Sequence, residues 1–81
     1  MLRVLRPGAA RLESGVLCIW VVPSVQYDAL LAVDWVEATF PAVGRVGGIA
    51  IREMAARLWG RVAGALTWSV RHYFVPVCVR V

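Results

Sequence analysis

The side chains that could perform chemistry are few in this sequence, and they are widely spaced. Cys18 and Cys78 lie sixty residues apart, and His72 is the single histidine. No CxxC or HxxxH spacing occurs, so a zinc site formed by this chain alone is not expected. Two buried thiols that pack as small hydrophobic groups are favoured over a disulfide, because a disulfide requires the two ends of the chain to meet.

The acidic residues are the nearest approach to a catalytic cluster. Asp28, Asp34 and Glu37 are the only grouped carboxylates, and no second functional group accompanies them. A solvated or salt-bridged helix face explains them better than acid–base chemistry does. His72, beside Arg71, could carry a proton, but capping or packing near a helix end is its favoured role. Uncharged polar side chains are scarce, so we expect no catalytic activity, no cofactor and no metal.

Two stretches have the apolar periodicity of helices, and they set the predicted architecture. The chain of 81 residues has room for one small domain, and 60% of its residues are hydrophobic. The stretches cover about 24–40 and about 45–72, joined by a turn at Pro41–Gly44. Their apolar positions repeat at helical spacing: Val25, Ala29, Ala32, Val33, Val36 and Phe40, then Gly47, Ile51, Met54, Ala55, Leu58, Val62, Ala65, Leu66, Ser69 and Tyr73. The predicted fold class is mainly α, an antiparallel helical hairpin, with 16–22 and 74–80 as candidates for short strands.

Small residues on the second predicted helix form a candidate partner face. Gly60 and Gly64 are one helical turn apart, and Ala56 lies one turn before Gly60. In an apolar helix this spacing lets a second backbone approach closely, and here it lies away from the main apolar stripe. The alternative is a pair of merely tolerated glycines. We expect the face to pack against a helix of another protein subunit.

Positive charge is distributed along the whole chain. There are nine arginines and five acidic residues, which give a net charge of +4. Four of the arginines are assigned to one basic face of the second helix: Arg45, Arg52, Arg57 and Arg61. The first helix is acidic, so opposite charges favour an antiparallel pair. Because the arginines form no continuous run, a solvated face is favoured over a nucleic-acid surface.

The mean hydropathy of +0.71 favours a membrane location, whereas the local pattern resists a span. The longest segment without a charged residue runs from Ser14 to Tyr27, and a span needs about 20 apolar residues. In a two-span hairpin Asp28 and Arg71 reach a similar depth and could form an ion pair in the membrane or between the helices. The arginine-rich residues 1–12 contain no acid, which is typical of a mitochondrial targeting segment.

The function predicted on this basis is a small non-catalytic accessory subunit, associated with a membrane or with a large respiratory or organellar assembly. Its partners would be other protein subunits and membrane lipid, and its candidate location is the mitochondrial inner membrane. Two alternatives remain open. One is a small soluble, cytoplasmic, basic domain that binds protein or nucleic acid. The other is a translated reading frame of no defined function, because the absence of Lys and Asn suits a GC-rich gene.

Overall fold

The chain folds into an α+β structure, and the prediction of a mainly helical hairpin is wrong. The computed structural model describes residues 8–25, 27–66 and 72–81. Their elements are β1 (Ala9–Glu13), β2 (Val16–Val21), α1 (Ala29–Thr39), β3 (Arg45–Val46), β4 (Ile49–Ala50), α2 (Ile51–Leu66) and β5 (Val75–Arg80). The strands β1, β2 and β5 form one antiparallel sheet with β2 in its centre, and β3 pairs with β4.

The main sheet joins segments from both ends of the chain. β1 and β2 form a hairpin with the two-residue turn Ser14–Gly15, where φ is 52° and 74°. Positive φ at both positions identifies the tight hairpin turn that matches the twist of paired strands. β5 lies on the other side of β2 and runs antiparallel to it. Periodicity reports local structure and not the pairing of distant segments, so the sequence identifies only β2 and β5 as candidate strands and misses both β1 and the sheet.

The second helix begins later than its apolar pattern predicts. A short hairpin of β3 and β4 occupies residues 45–50, and its turn residues Gly47 and Gly48 have φ of 56° and 81°. Adjacent glycines favour this turn and disfavour a helix, so α2 begins only at Ile51. The predicted continuation of the helix over 67–71 lies outside the described residues.

The first helix also begins later than predicted, at Ala29 rather than near residue 24. Asp28 is its N-cap, and its Oδ1 accepts a hydrogen bond of 3.0 Å from the backbone N–H of Leu31. Such a cap satisfies one of the free backbone donors in the first turn, which fixes the start of the helix. The helix ends at Thr39, just before Phe40 and the proline that follows it.

The core lies between one face of the sheet and α2. Six large side chains in it are less than 2% exposed: Leu17, Ile19 and Val21 of β2, and Met54, Leu58 and Val62 of α2. Between Ile51 and Val62 the apolar face predicted for the second helix is therefore its buried face, whereas Gly47 and Tyr73, predicted on the same face, are exposed and lie outside α2. α1 packs against α2, and its buried residues are Ala32 and Val36.

Charged and aromatic side chains of α2 contact α1 and the residue that precedes its N-cap. Arg52 Nη1 lies 2.7 Å from Asp34 Oδ1 and 3.3 Å from Glu37 Oε2. The hydrogen bond to Asp34, which has the larger effect, and the hydrogen bond to Glu37 raise the pKa of Arg52. Further along α2, the Trp59 ring meets the Tyr27 ring edge to face, with 5.7 Å between centroids. Later positions of α2 thus contact earlier positions of the chain, so an antiparallel helix pair is present as one part of the α+β fold.

None of the described helices is both long enough and apolar enough to cross a membrane. The predicted hydrophobic helical hairpin is wrong, because the two described helices are parts of an α+β fold. Its physical basis, the apolar run Val16–Val21, is the central strand of the sheet and not the start of a helix. Side chains of this run and of α2 that raise the mean hydropathy are buried against one another in the core.

A candidate protein-interaction surface on the sheet

The central strand β2 is apolar on both faces, although α2 covers only one of them. The residues that point toward α2 are at most 1% exposed: Leu17, Ile19 and Val21. The residues that point away from it are partly buried: Val16, Cys18 and Trp20. In an antiparallel sheet with one uncovered face, side chains along each strand normally alternate, so that those on the uncovered face are polar. On β2 this alternation is missing.

The strand register defines the face of the sheet opposite α2, which we call the outer face. Its nine residues form three rows across β1, β2 and β5: Ala9–Trp20–Pro76, Arg11–Cys18–Cys78 and Glu13–Val16–Arg80. The row that contains Trp20 is entirely apolar, and the three charged residues lie on the outer strands of the other two rows. No described helix packs on this face, and all residues of its outer strands except Cys78 are exposed.

An open groove lies at the Trp20 end of the outer face. Its volume is about 530 Å³, and it is lined by Gly8, Ala9, Ala10, Arg11, Trp20 and Phe74. The Phe74 ring lies so close to Gly8 that a Cβ there would come within 2.5 Å of the ring. Phe74 remains 52% exposed. The groove is therefore lined by two aromatic residues, and Arg11 forms part of its wall.

A disulfide between Cys18 and Cys78 crosses the middle row of the outer face. The preference for two buried free thiols is therefore wrong. The pairing of β2 with β5 brings the two cysteines opposite each other, although they are sixty residues apart in sequence. Covalent attachment of β5 to β2 fixes the register of the face and its shape.

The partner face predicted on α2 lies on the exposed side of that helix. Ala56, Gly60 and Gly64 are all exposed, opposite the buried Leu58 and Val62. Apart from the adjoining backbone of α2, a Cβ at either glycine would meet no atom of the described residues within 4 Å. The described part of the fold therefore does not require glycine at these positions. Whether the face binds a partner remains a prediction.

The four arginines assigned to one basic face are in different situations. Arg45 lies in β3, outside α2, and donates to a backbone carbonyl in the adjoining turn at 3.0 Å. Arg52 pairs with both acids of α1, and Arg57 Nη2 lies 3.1 Å from Glu53 Oε1. Arg61 is exposed and forms no ion pair with any described residue. Acidic neighbours thus accompany two of the four cations, and no single phosphate-binding stripe results.

The remaining candidate residues in the described part of the chain make local contacts. Asp28 serves as the cap of α1, and its predicted partner Arg71 lies outside the described residues. His72 is exposed, and its Nδ1 lies 3.1 Å from Ser24 Oγ. In the described part of the chain, no three His, Cys, Asp or Glu side chains are grouped so as to hold a metal ion. Asp34 and Glu37 form the salt-bridged helix face that the sequence favours.

Comparisons with protein-family models, with curated proteins and with solved structures find no match to this chain. The outer face is therefore the feature that indicates a function. Sequence reasoning misses this surface, because a Trp in an apolar run looks like a core residue. The available signal was the run Val16–Val21, which is apolar at every position, as is typical of a strand covered on both faces.

Proposed function

We propose that the chain is a small non-catalytic protein-binding domain whose outer face docks on an apolar surface of another protein. The observation that carries the proposal is the apolar character of β2 on a face that no described helix covers. A partner that buries Trp20 and Phe74 would gain from two aromatic side chains, which dominate the energetics of many interfaces.

The distribution of charge on the outer face supports the same proposal. Arg11, Glu13 and Arg80 lie on the outer strands, around an apolar centre of Cys18 and Trp20. Protein interfaces share this anatomy, with an apolar core and a polar rim. The rim charges would orient the partner, and burial of the centre would supply the affinity.

The disulfide supports a pre-organised binding surface. It holds β5 on β2, so the outer face does not need to be ordered when a partner binds, and the entropic cost of binding is lower. Disulfides persist in oxidising compartments and are rare where glutathione keeps thiols reduced. The domain we propose would therefore act in an oxidising environment.

The exposed face of α2 is the second candidate surface for the same function. Gly60 and Gly64 each weaken the helix by about 1 kcal/mol relative to alanine, without a steric need inside the chain. Close approach of a partner helix would explain them. The outer face is favoured because its exposed apolar groups gain from burial, whereas the glycines only permit contact.

Nucleic acid is the less favoured ligand. Phosphate recognition needs arginines that are free to face the backbone of the nucleic acid. Arg52 and Arg57 have carboxylate partners at 2.7 and 3.1 Å, respectively. Arg45 and Arg61 do not form a groove with them, because Arg45 lies on a different element.

Photo-cross-linking in the expressing cell tests which surface docks. A benzophenone amino acid replaces Arg80 on the outer face in one variant and Arg61 beside the α2 glycines in the other. The two sites are matched, because both are exposed arginines without an ion pair to any described residue. We expect a discrete adduct from position 80 and none from position 61. An adduct from 61 alone would assign the function to α2, and no adduct from either would contradict the proposed function.

A further inference from the structure

Alternate residues of β2 form backbone hydrogen bonds to β1 and to β5. This alternation determines which backbone groups remain free at the two edges of the main sheet. The Cα atoms of Cys18 and Cys78 are 4.1 Å apart, the short spacing of a pair that is not hydrogen bonded. Just past the last β2–β5 pair, Val16 and Arg80, the Val81 N–H donates to the Gly15 carbonyl at 2.9 Å. The odd-numbered residues of β2 therefore bond to β5, and its even-numbered residues bond to β1.

Because of this alternation, two residues of β1 have backbone groups that do not bond to β2. Ala9, Arg11 and Glu13 pair with the even-numbered residues of β2. The N–H and C=O groups of Ala10 and Leu12 consequently point away from the sheet. Among the described residues, β1 is an end strand of the sheet and no strand pairs with this edge.

The opposite edge of the sheet, on β5, is protected where β1 is not. The free backbone groups of β5 belong to Pro76, Cys78 and Arg80, because the odd-numbered residues of β5 bond to β2. Proline has no N–H, so a donor is missing at the point where another strand would begin to pair. β1 contains no proline between residues 9 and 13. The two edges therefore differ in their capacity to accept a further strand.

We infer that β1 pairs with β1 of a second copy of this chain, antiparallel and centred on Leu12. The two Leu12 residues would exchange their N–H···O=C bonds across a two-fold axis. This register places Arg11 opposite Glu13 of the second copy, and the reverse, on the outer face. Centring on Arg11 would instead place two arginines opposite each other, and centring on Ala10 would pair Arg11 with an alanine. Charge complementarity therefore selects Leu12.

The geometry at the paired charges favours contact between them. In the proposed register Arg11 and Glu13 form a pair that is not hydrogen bonded, where opposite side chains come closest. Within one chain, Arg11 Nε and Glu13 Oε2 are already 4.0 Å apart, and both side chains are more than 70% exposed. The dimer would join two three-stranded sheets and so double the width of the outer face. This pairing goes beyond the proposed function, because outer-face docking does not depend on it.

Sedimentation equilibrium of the oxidised full-length chain, from micromolar to millimolar concentration, tests the inference. We expect a concentration-dependent dimer that weakens in 0.5 M NaCl, since exposed charge pairs are screened by salt. Arg11→Glu alone and Glu13→Arg alone should each raise the dimer Kd at least tenfold. The double variant R11E/E13R should restore it, and an equimolar mixture of the single variants should form a heterodimer.

A backbone variant gives an independent readout. Leu12→Pro removes an N–H only from the free edge, as Pro76 does on the other side, and should abolish the dimer. Leu12→Val is the matched control that keeps the N–H, and circular dichroism establishes that each variant is folded. A monomer at all concentrations, or a dimer unaffected by charge reversal, would overturn the inference. The cross-link from position 80 to a partner of different mass would persist in either case, so failure here leaves the proposed function standing.

Discussion

The two faces of the main sheet are supplied by the same strands but have different surroundings. The inner face is closed by α2, and the residues of β2 on it are at most 1% exposed. The outer face is nearly as apolar along β2, yet the described helices leave it uncovered. β2 is therefore suited to burial on both faces, whereas the described fold covers only one of them. We propose that a partner protein provides the other.

Removal of the disulfide should have the largest effect, because it lies on the outer face but constrains the whole chain. A loop of sixty residues closed by Cys18 and Cys78 corresponds to about 4 kcal/mol in the loop-entropy description. We expect C18S/C78S to lose about that much unfolding free energy in urea. Reduction of the wild-type chain is the matched control and should give a similar loss. A loss below about 1 kcal/mol would show that the outer face does not depend on this link.

A matched pair of valines compares the two faces directly. Val21 on the inner face is 0% exposed, and Val16 on the outer face is partly buried. We expect Val21→Ala to lower the unfolding free energy by about 2 kcal/mol, from lost burial and the cavity left behind. Val16→Ala should cost less than about 1 kcal/mol, since it leaves no enclosed cavity. Equal losses in urea titrations would mean that the outer face is part of the folding core.

Substitutions on the second candidate surface, the exposed face of α2, should change the unfolding free energy by a smaller amount and in the opposite direction. Gly60→Ala and Gly64→Ala should each raise the unfolding free energy by about 1 kcal/mol and increase helicity, because the added methyl group meets open space. Thermal and urea unfolding followed by circular dichroism measure both quantities. A decrease in stability would show that something packs closely there. Loss of the cross-link from position 80 in the alanine variants would move the docking surface to α2.

The smallest expected effect concerns the turn that holds β1 on the outer face. Ser14 has φ of 52°, a conformation that asparagine adopts more readily. We expect Ser14→Asn to raise the unfolding free energy by about 0.5 kcal/mol, the scale of a favourable surface substitution. The yield of the cross-link from position 80 should not change. A destabilised variant would mean that the serine side chain has a role of its own in this turn.

Local pattern locates the two helices but not where they begin, and it misses the sheet. The buried stripe of α2, from Ile51 to Val62, follows from its periodicity. The start of that helix does not, because the Gly47–Gly48 turn sits in a stretch that continues the apolar spacing. The pairing of β2 with β5 connects segments at opposite ends of the chain, and no local signal reports it.

The candidate site was even less predictable than the fold. Trp20 belongs to a run that fits either a buried strand or the front of a membrane helix, and its face is decided only by the register with Pro76. The cysteine pair likewise becomes visible only once β5 is placed beside β2. Helical spacing is local, so it places Ala56, Gly60 and Gly64 together on α2, where all three are exposed, and their role as a partner face stays a prediction.

The most direct test of the central claim combines folding and docking in one variant, Val16→Asp. The variant adds a charge to the centre of the outer-face row that contains Arg80. We predict that its unfolding free energy stays within about 1 kcal/mol of the wild type, as for other changes at uncovered positions. The cross-link from position 80 should be lost. A persistent adduct in the folded variant would contradict docking through the outer face. A stability loss as large as that of Val21→Asp on the inner face would contradict it as well.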